Sequence, residues 1–100
     1  LRISYQERCD ALLAALKKYM PKFVTWYVPE GGYFVWIKVA GVDTARLLQQ
    51  AQDQGVSFLP GKYFFLNEQD GKEWLRLSFS YSEKKEIMKG IEILGEVINK

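Results

Sequence analysis

The 100-residue chain is 48% hydrophobic and 26% charged with a formal net charge of +2, the make-up of one ordinary soluble domain with a modest core. That charge is too small to argue for nucleic acid or an anionic membrane, and no apolar run approaches the roughly 18 residues needed to span a bilayer. Histidine is absent and cysteine occurs once, which removes the commonest general base, the Ser-His and Cys-His nucleophile pairs, an internal disulfide and every His-containing zinc site.

Cys9, Leu12, Leu13, Leu16 and Met20 recur at helical spacing, predicting an amphipathic helix over about residues 3 to 19 that Pro21 ends. Cys9 falls on this stripe and reads as a small buried hydrophobe rather than a reactive thiol. Two β-rich runs follow, Phe23 to Val28 and Tyr33 to Val39, separated by "PEGG" at 29 to 32, whose Pro and paired glycines predict a hairpin turn. Asp43 is the expected N-cap of a second helix that turns Leu47, Leu48 and Ala51 inward and stops at Gly55. "VSFL" at 56 to 59 reads as a short strand leading to Pro60-Gly61, "NEQDG" at 67 to 71 as a polar turn, and "WLRLSF" at 74 to 79 as the last strand. Ser82 is the expected cap of a final helix, with Glu83 in its first turn and Ile87, Ile91, Leu94 and Ile98 as its stripe. The order α-β-β-α-β-β-α, without repeats or an internal linker, predicts an α+β two-layer sandwich. Its sheet is mostly antiparallel, with helices on one face.

That architecture leaves the second sheet face uncovered, and Phe34, Trp36, Trp74 and Arg76 are the residues expected there. Such a face is either buried against another domain or a ligand, or covered by the chain's own loops. Alternation in the last strand puts Leu75, Leu77, Phe79 and Tyr81 on the core side and Trp74, Arg76, Ser78 and Ser80 on the other. Arg76 therefore sits mid-strand with its backbone anchored by Leu75 and Leu77. Its planar fork matches a carboxylate in two parallel hydrogen bonds, and its charge cannot be lost. Spacing alone leaves two readings open, a structural or surface arginine and a grip on an anion.

Other motifs are weaker. "PEGGYFVWIKV" is a poor match to an RNA-recognition sheet, because Glu30 stands where a basic residue is needed. "PGK" at 60 to 62 lacks the first glycine and spacer of a phosphate loop, and Tyr63 replaces its Ser/Thr. Lys84 and Lys85 read as a solvated first helical turn, and no pair of carboxylates stands out for acid/base work.

Four stretches, "YQERCDALLAAL", "VPEGGYFVWIKV", "VDTARLLQQAQDQGVSFLPGKYFF" and "EWLRLSFSYSEKKEIMKGIEIL", together resemble the C-terminal small domain of the fold-type I, pyridoxal-phosphate-dependent aminotransferases. The nearest subgroup holds the 2-aminoadipate and kynurenine aminotransferases and the MocR-type transcriptional regulators. The resemblance spans nearly all 100 residues and rests on Y-x-E-R-x-D, P-x-G-G-x-F, G-V-x-F-x-P-G-x-x-F and L-R-L-S-F-S in this order.

The resemblance implies that Arg76 binds the α-carboxylate of an amino-acid or keto-acid substrate while the open face closes over the cofactor cleft. "PEGGYF" and "FLPGKYF" become loops near the domain junction without an assigned chemical role. Lys62 departs from the pattern, which leads us to expect a small residue there. The Schiff-base lysine, the acid on the pyridinium nitrogen and the phosphate ligands belong to a large domain outside residues 1–100. The resemblance of "SFSYSEKK" to the family's S-x-x-K lysine motif is accidental. Residues 1–100 are accordingly expected to be one small domain of a longer protein, as a start at Leu1 without a signal-like segment also suggests. That domain is expected to be inactive alone and to hold no metal. The parent is expected to be a cytoplasmic, homodimeric enzyme of amino acid metabolism that uses pyridoxal 5'-phosphate. Two alternatives remain. One is the effector-sensing domain of a MocR-type (GntR-family) regulator, the only case in which nucleic acid is a partner. The other is a free-standing ferredoxin-like interaction module.

Overall fold

Ser4 and Glu7 form the S-x-x-E pattern that opens a helix. In the computed structural model, which describes residues 4–29, 34–79 and 84–99, the Glu7 N–H donates to the Ser4 hydroxyl at 3.1 Å. Helix α1 runs Tyr5–Tyr19 from this cap and buries Cys9, Leu12, Ala15 and Leu16. Leu13, expected on the stripe, stays exposed. It lies one residue round from Leu12, and the buried arc is completed by Ala15, which is small enough for close helix packing. Cys9 is a free thiol within the core cluster, the place expected of a small hydrophobe.

Strands β1 (Val24–Tyr27) and β2 (Phe34–Val39) pair antiparallel from Val24↔Val39 to Tyr27↔Trp36. They form the expected hairpin, although residues 30–33 of its turn lie outside the described residues. Helix α2 (Thr44–Asp53) has Asp43 as its N-cap, the carboxylate accepting from the Ala45 N–H at 3.0 Å. Leu47 and Ala51 are buried, Leu48 is half-buried, and the chain leaves through Gly55 at φ +90°, a conformation that favours glycine.

The third strand is shorter than expected. Val56 and Phe58 are buried, yet β3 is only Leu59–Pro60. It pairs with β4 through Leu59↔Arg76 and Pro60↔Leu75. Proline has no N–H to donate, so the edge ladder does not extend beyond it. Two 3-10 turns, Gly61–Tyr63 and Glu68–Gly71, lead to β4 (Trp74–Ser78). Helix α3 spans Lys84–Ile98 and buries Ile87, Ile91, Leu94 and Ile98 as its spacing predicts. The expected cap Ser82 and the first-turn Glu83 lie outside the described residues, as do Ser80 and Tyr81.

All three ladders are antiparallel, and the sheet order is β1-β2-β4-β3. Val35, Ile37, Val39 and Leu75 are fully buried with Leu12, Leu16, Ile91 and Leu94 of the helices. The two-layer α+β sandwich read from the order of elements is therefore the fold. Removing a side chain of this size from water contributes about 1.5–3 kcal/mol, so this layer holds β2 and β4 rigid beneath whatever their other face carries.

Helices α1 and α3 are also joined by Lys84 Nζ and Glu7 Oε2 at 3.1 Å. The hydrogen bond from Lys84, then its charge, hold the Glu7 carboxyl below its ordinary range. This contribution is present above the unfolded carboxyl pKa and is lost as pH falls through the lowered one. Both groups are solvated, so salt weakens it.

Helices α1 and α3 pack tightly at Gly95, where an added Cβ would lie 2.6 Å from the Tyr19 carbonyl oxygen. Gly90, one and a half turns earlier, has nothing within 4 Å of such a Cβ. Alanine ordinarily improves a helix interior. Gly90→Ala is therefore expected to stabilise the chain by about 0.5–1 kcal/mol. Gly95→Ala is expected to destabilise it by about 1–3 kcal/mol through overpacking against backbone. Urea unfolding midpoints of the two variants check the opposite signs.

Candidate functional site

The sheet face turned away from the helices is built by alternation. Phe34, Trp36 and Lys38 of β2 are half-buried between the fully buried Val35, Ile37 and Val39. On β4 the same face carries Trp74, Arg76 and Ser78. The register sets Tyr27, Trp36, Arg76 and Leu59 in one row across all four strands.

Arg76 is at the centre of an aromatic cluster. Its Cζ lies 4.6 Å from the ring centroid of Phe34 and 4.6 Å from that of Phe64. Phe34 reaches it from the β2 side, while Phe64 arrives from the loop that follows β3, so the rings approach from the two neighbours of β4. Trp36 meets both edge-on, with centroids 6.4 Å from Phe34 and 5.2 Å from Phe64 at interplanar angles of 87° and 86°. Trp74 stands edge-on to Trp36 at 6.5 Å, and Lys38 Nζ lies 5.9 Å from the Trp74 ring centroid. Aromatic faces carry negative potential and attract a guanidinium.

Among the described residues Arg76 has no anionic partner. The ion pairs among the described residues join Arg46 to Asp43, Lys84 to Glu7 and Lys89 to Glu92. No described strand residue on this face is acidic. Every buried side-chain nitrogen or oxygen among the described residues has a hydrogen-bond partner, so the unpaired guanidinium nitrogens are ones that water reaches. The cation is flanked by aromatic carbon, and no described carboxylate meets its donors.

The clamp depends on how the loop is delivered. A Cβ on Gly61 would lie 2.5 Å from the Gly71 carbonyl oxygen and 2.6 Å from Trp74 Cβ, and one on Gly71 would run into the Gly61 backbone and the Phe65 ring. The two 3-10 turns touch through hydrogen alone at these glycines, and the Phe64 N–H donates to the Gly61 carbonyl at 2.9 Å. Thr44, buried at the start of α2, donates its hydroxyl to the Trp74 carbonyl at 2.7 Å. Its N–H donates to the Lys72 carbonyl at 2.9 Å. The start of β4 is thereby tied to α2.

The chain's own loop covers part of this face, as Phe64 folds back over Trp36 and Arg76, while Tyr27 in the same row is 61% exposed. Sequence reasoning placed Arg76, Phe34, Trp36 and Trp74 correctly on this face and gave Phe64 no role. The available signal was the closing Phe of G-V-x-F-x-P-G-x-x-F, which is Phe64. Lys62, the departure from the pattern, is half-buried with Nζ 5.2 Å from the Tyr63 ring centroid and lines a small depression with Asp43, Glu68 and Lys72. A larger cavity of about 540 Å³ is lined by Asp43, Arg46, Lys72 and Glu73 and does not include Arg76. Among the described residues no three His, Cys, Asp or Glu side chains cluster as metal ligands, and no helix is long and apolar enough to cross a membrane.

Residues 1–94 match the family model "Aminotransferase class I and II". The chain is 43% identical over 95 residues to aromatic-amino-acid aminotransferase 1 of Thermococcus litoralis, covering 94% of this chain and 22% of that protein. It is 31% identical over 99 residues to an HTH-type transcriptional regulator of Bacillus subtilis, covering 98% of this chain and 20% of the regulator. The crystal structure of Pyrococcus horikoshii kynurenine aminotransferase in complex with PMP superposes with a TM-score of 0.88 at 41% identity, over 95% of this chain and 24% of that one. The chain thus spans about a fifth to a quarter of the length of the proteins it matches.

Proposed function

Because this chain belongs to the class I and II aminotransferase family, we propose that it is the small domain of a longer aminotransferase and that Arg76 binds the α-carboxylate of the amino-acid substrate. One observation carries this reading. Arg76 is a permanently charged fork, held on a rigid strand between two rings, with no carboxylate partner among the described residues. A structural arginine spends its donors on the protein, whereas no described carboxylate takes these donors, which suit an incoming anion. A carboxylate is the planar anion that matches two of them at once.

The exposed apolar side chains in the row of Arg76, Tyr27 and Leu59, fit a face that closes against the rest of the protein. Closure removes water from the ion pair and strengthens it. Pyridoxal phosphate, the cofactor proposed for the full-length parent, is not held by these residues. No described strand residue of this face is an acid for a pyridinium nitrogen, and its described strand lysine, Lys38, rests over Trp74. This domain's part is to bind and orient the carboxylate, and the chemistry belongs to the remainder of the chain.

A second reading is favoured by the similarity to the HTH-type regulator. In it the same Arg76 holds the carboxylate of an effector, and the full-length protein binds DNA. Substrate turnover by the full-length protein excludes the pure regulator, and effector-dependent DNA binding without turnover excludes the enzyme.

Hydrogen bonds to charged groups contribute roughly 1.5–3 kcal/mol each. Arg76→Ala in the full-length protein is therefore expected to lower kcat/KM for an amino acid by about 100-fold or more, since about 1.4 kcal/mol is tenfold. Arg76→Lys restores charge without the planar fork and is expected to recover only part of the loss. A simple amine, which has no carboxylate, is the control substrate. Equal losses for amine and amino acid would make Arg76 structural and overturn the assignment.

For the 100-residue chain alone, borohydride reduction at stoichiometric pyridoxal phosphate is expected to trap no adduct at any single lysine, followed by peptide mass mapping. One lysine trapped selectively would contradict the placement of the cofactor outside this domain.

A further inference from the structure

We propose that Phe64, together with Phe34, is a positioning residue that holds the Arg76 guanidinium in the orientation in which it receives a carboxylate, so that the loop after β3 sets the strength of the substrate grip. The inference rests on the carboxylate-binding reading of Arg76 and goes beyond it.

The geometry supplies the argument. The rings lie at equal distances of 4.6 Å from Cζ, one from β2 and one from the loop on the β3 side. Guanidinium donors point outward in the plane of the group, so contacts made by carbon leave that edge available. A free arginine side chain samples many rotamers, and ordering it when substrate arrives weakens binding. Trp36 stands perpendicular to both rings, which fixes their tilt. Phe64 is itself fixed by its hydrogen bond to the Gly61 carbonyl and by the Gly61–Gly71 contact. Phe64 gives no donor or acceptor to a substrate. Its action passes through Arg76.

The test uses the full-length protein and calorimetric affinity for the keto acid, with CD spectra as a folding control. Phe64→Leu keeps apolar bulk and removes the aromatic face; it is expected to weaken binding about tenfold. Phe64→Tyr keeps the face and is expected to stay within about twofold of wild type. In an Arg76→Ala background, Phe64→Leu is expected to change affinity by less than about twofold, because the group through which it acts is gone. An equal loss in both backgrounds, or a Tyr variant as weak as the Leu variant, overturns the positioning role while leaving Arg76 as the carboxylate ligand. Keto-acid affinity unchanged by Arg76→Ala itself overturns the carboxylate reading, and this inference with it.

Discussion

An arginine set in the middle of a strand commits that position to a positive charge, because no accessible pH removes it. Among the described residues Arg76 meets this constraint with aromatic faces, not with a carboxylate. Rings partly offset the loss of water around a cation without consuming its hydrogen-bond donors. An internal carboxylate would have stabilised the charge more strongly and occupied its donors. The choice of phenylalanine and tryptophan as neighbours therefore keeps the donors available.

The remaining architecture follows from keeping that cation still. The opposite sides of β2 and β4 are pinned by Val35, Ile37, Val39 and Leu75, all fully buried against the helices. Thr44 ties the first residues of β4 to α2. Two glycines bring the turns of the 61–71 segment into backbone contact and so deliver Phe64. Side-chain precision on the open face is thus inherited from packing on the hidden one.

Much of this is legible in the residues because alternation and helical spacing are local patterns. "FVWIKV" and "WLRLS" announce which side chains share a face, and the buried stripe of α3 follows from Ile87, Ile91, Leu94 and Ile98. The pairing Trp36↔Arg76 and the contact of Phe64 with Arg76 are tertiary, set by the sheet order and by a loop whose path depends on Gly61 meeting Gly71. Such contacts leave no periodic trace. "VSFL" misled in another way. Val56 and Phe58 have strand-like composition because they are buried, while only Leu59 and Pro60 join the ladder. The proposed grip on a carboxylate rests on the lack of an internal acid partner among the described residues, a tertiary feature that spacing does not carry.

The family match accounts for the fold, and the packing beneath β2 and β4 holds Arg76 in place between its two rings. The most direct test of that account is a crystal structure of the full-length protein with an amino-acid substrate or its keto acid bound. The account predicts two parallel N–H···O bonds of about 2.7–2.9 Å from the Arg76 guanidinium to the two carboxylate oxygens, with Phe34 and Phe64 still flanking it. A carboxylate bound to another cation, with Arg76 paired instead to an acidic side chain of the remaining chain, would contradict it.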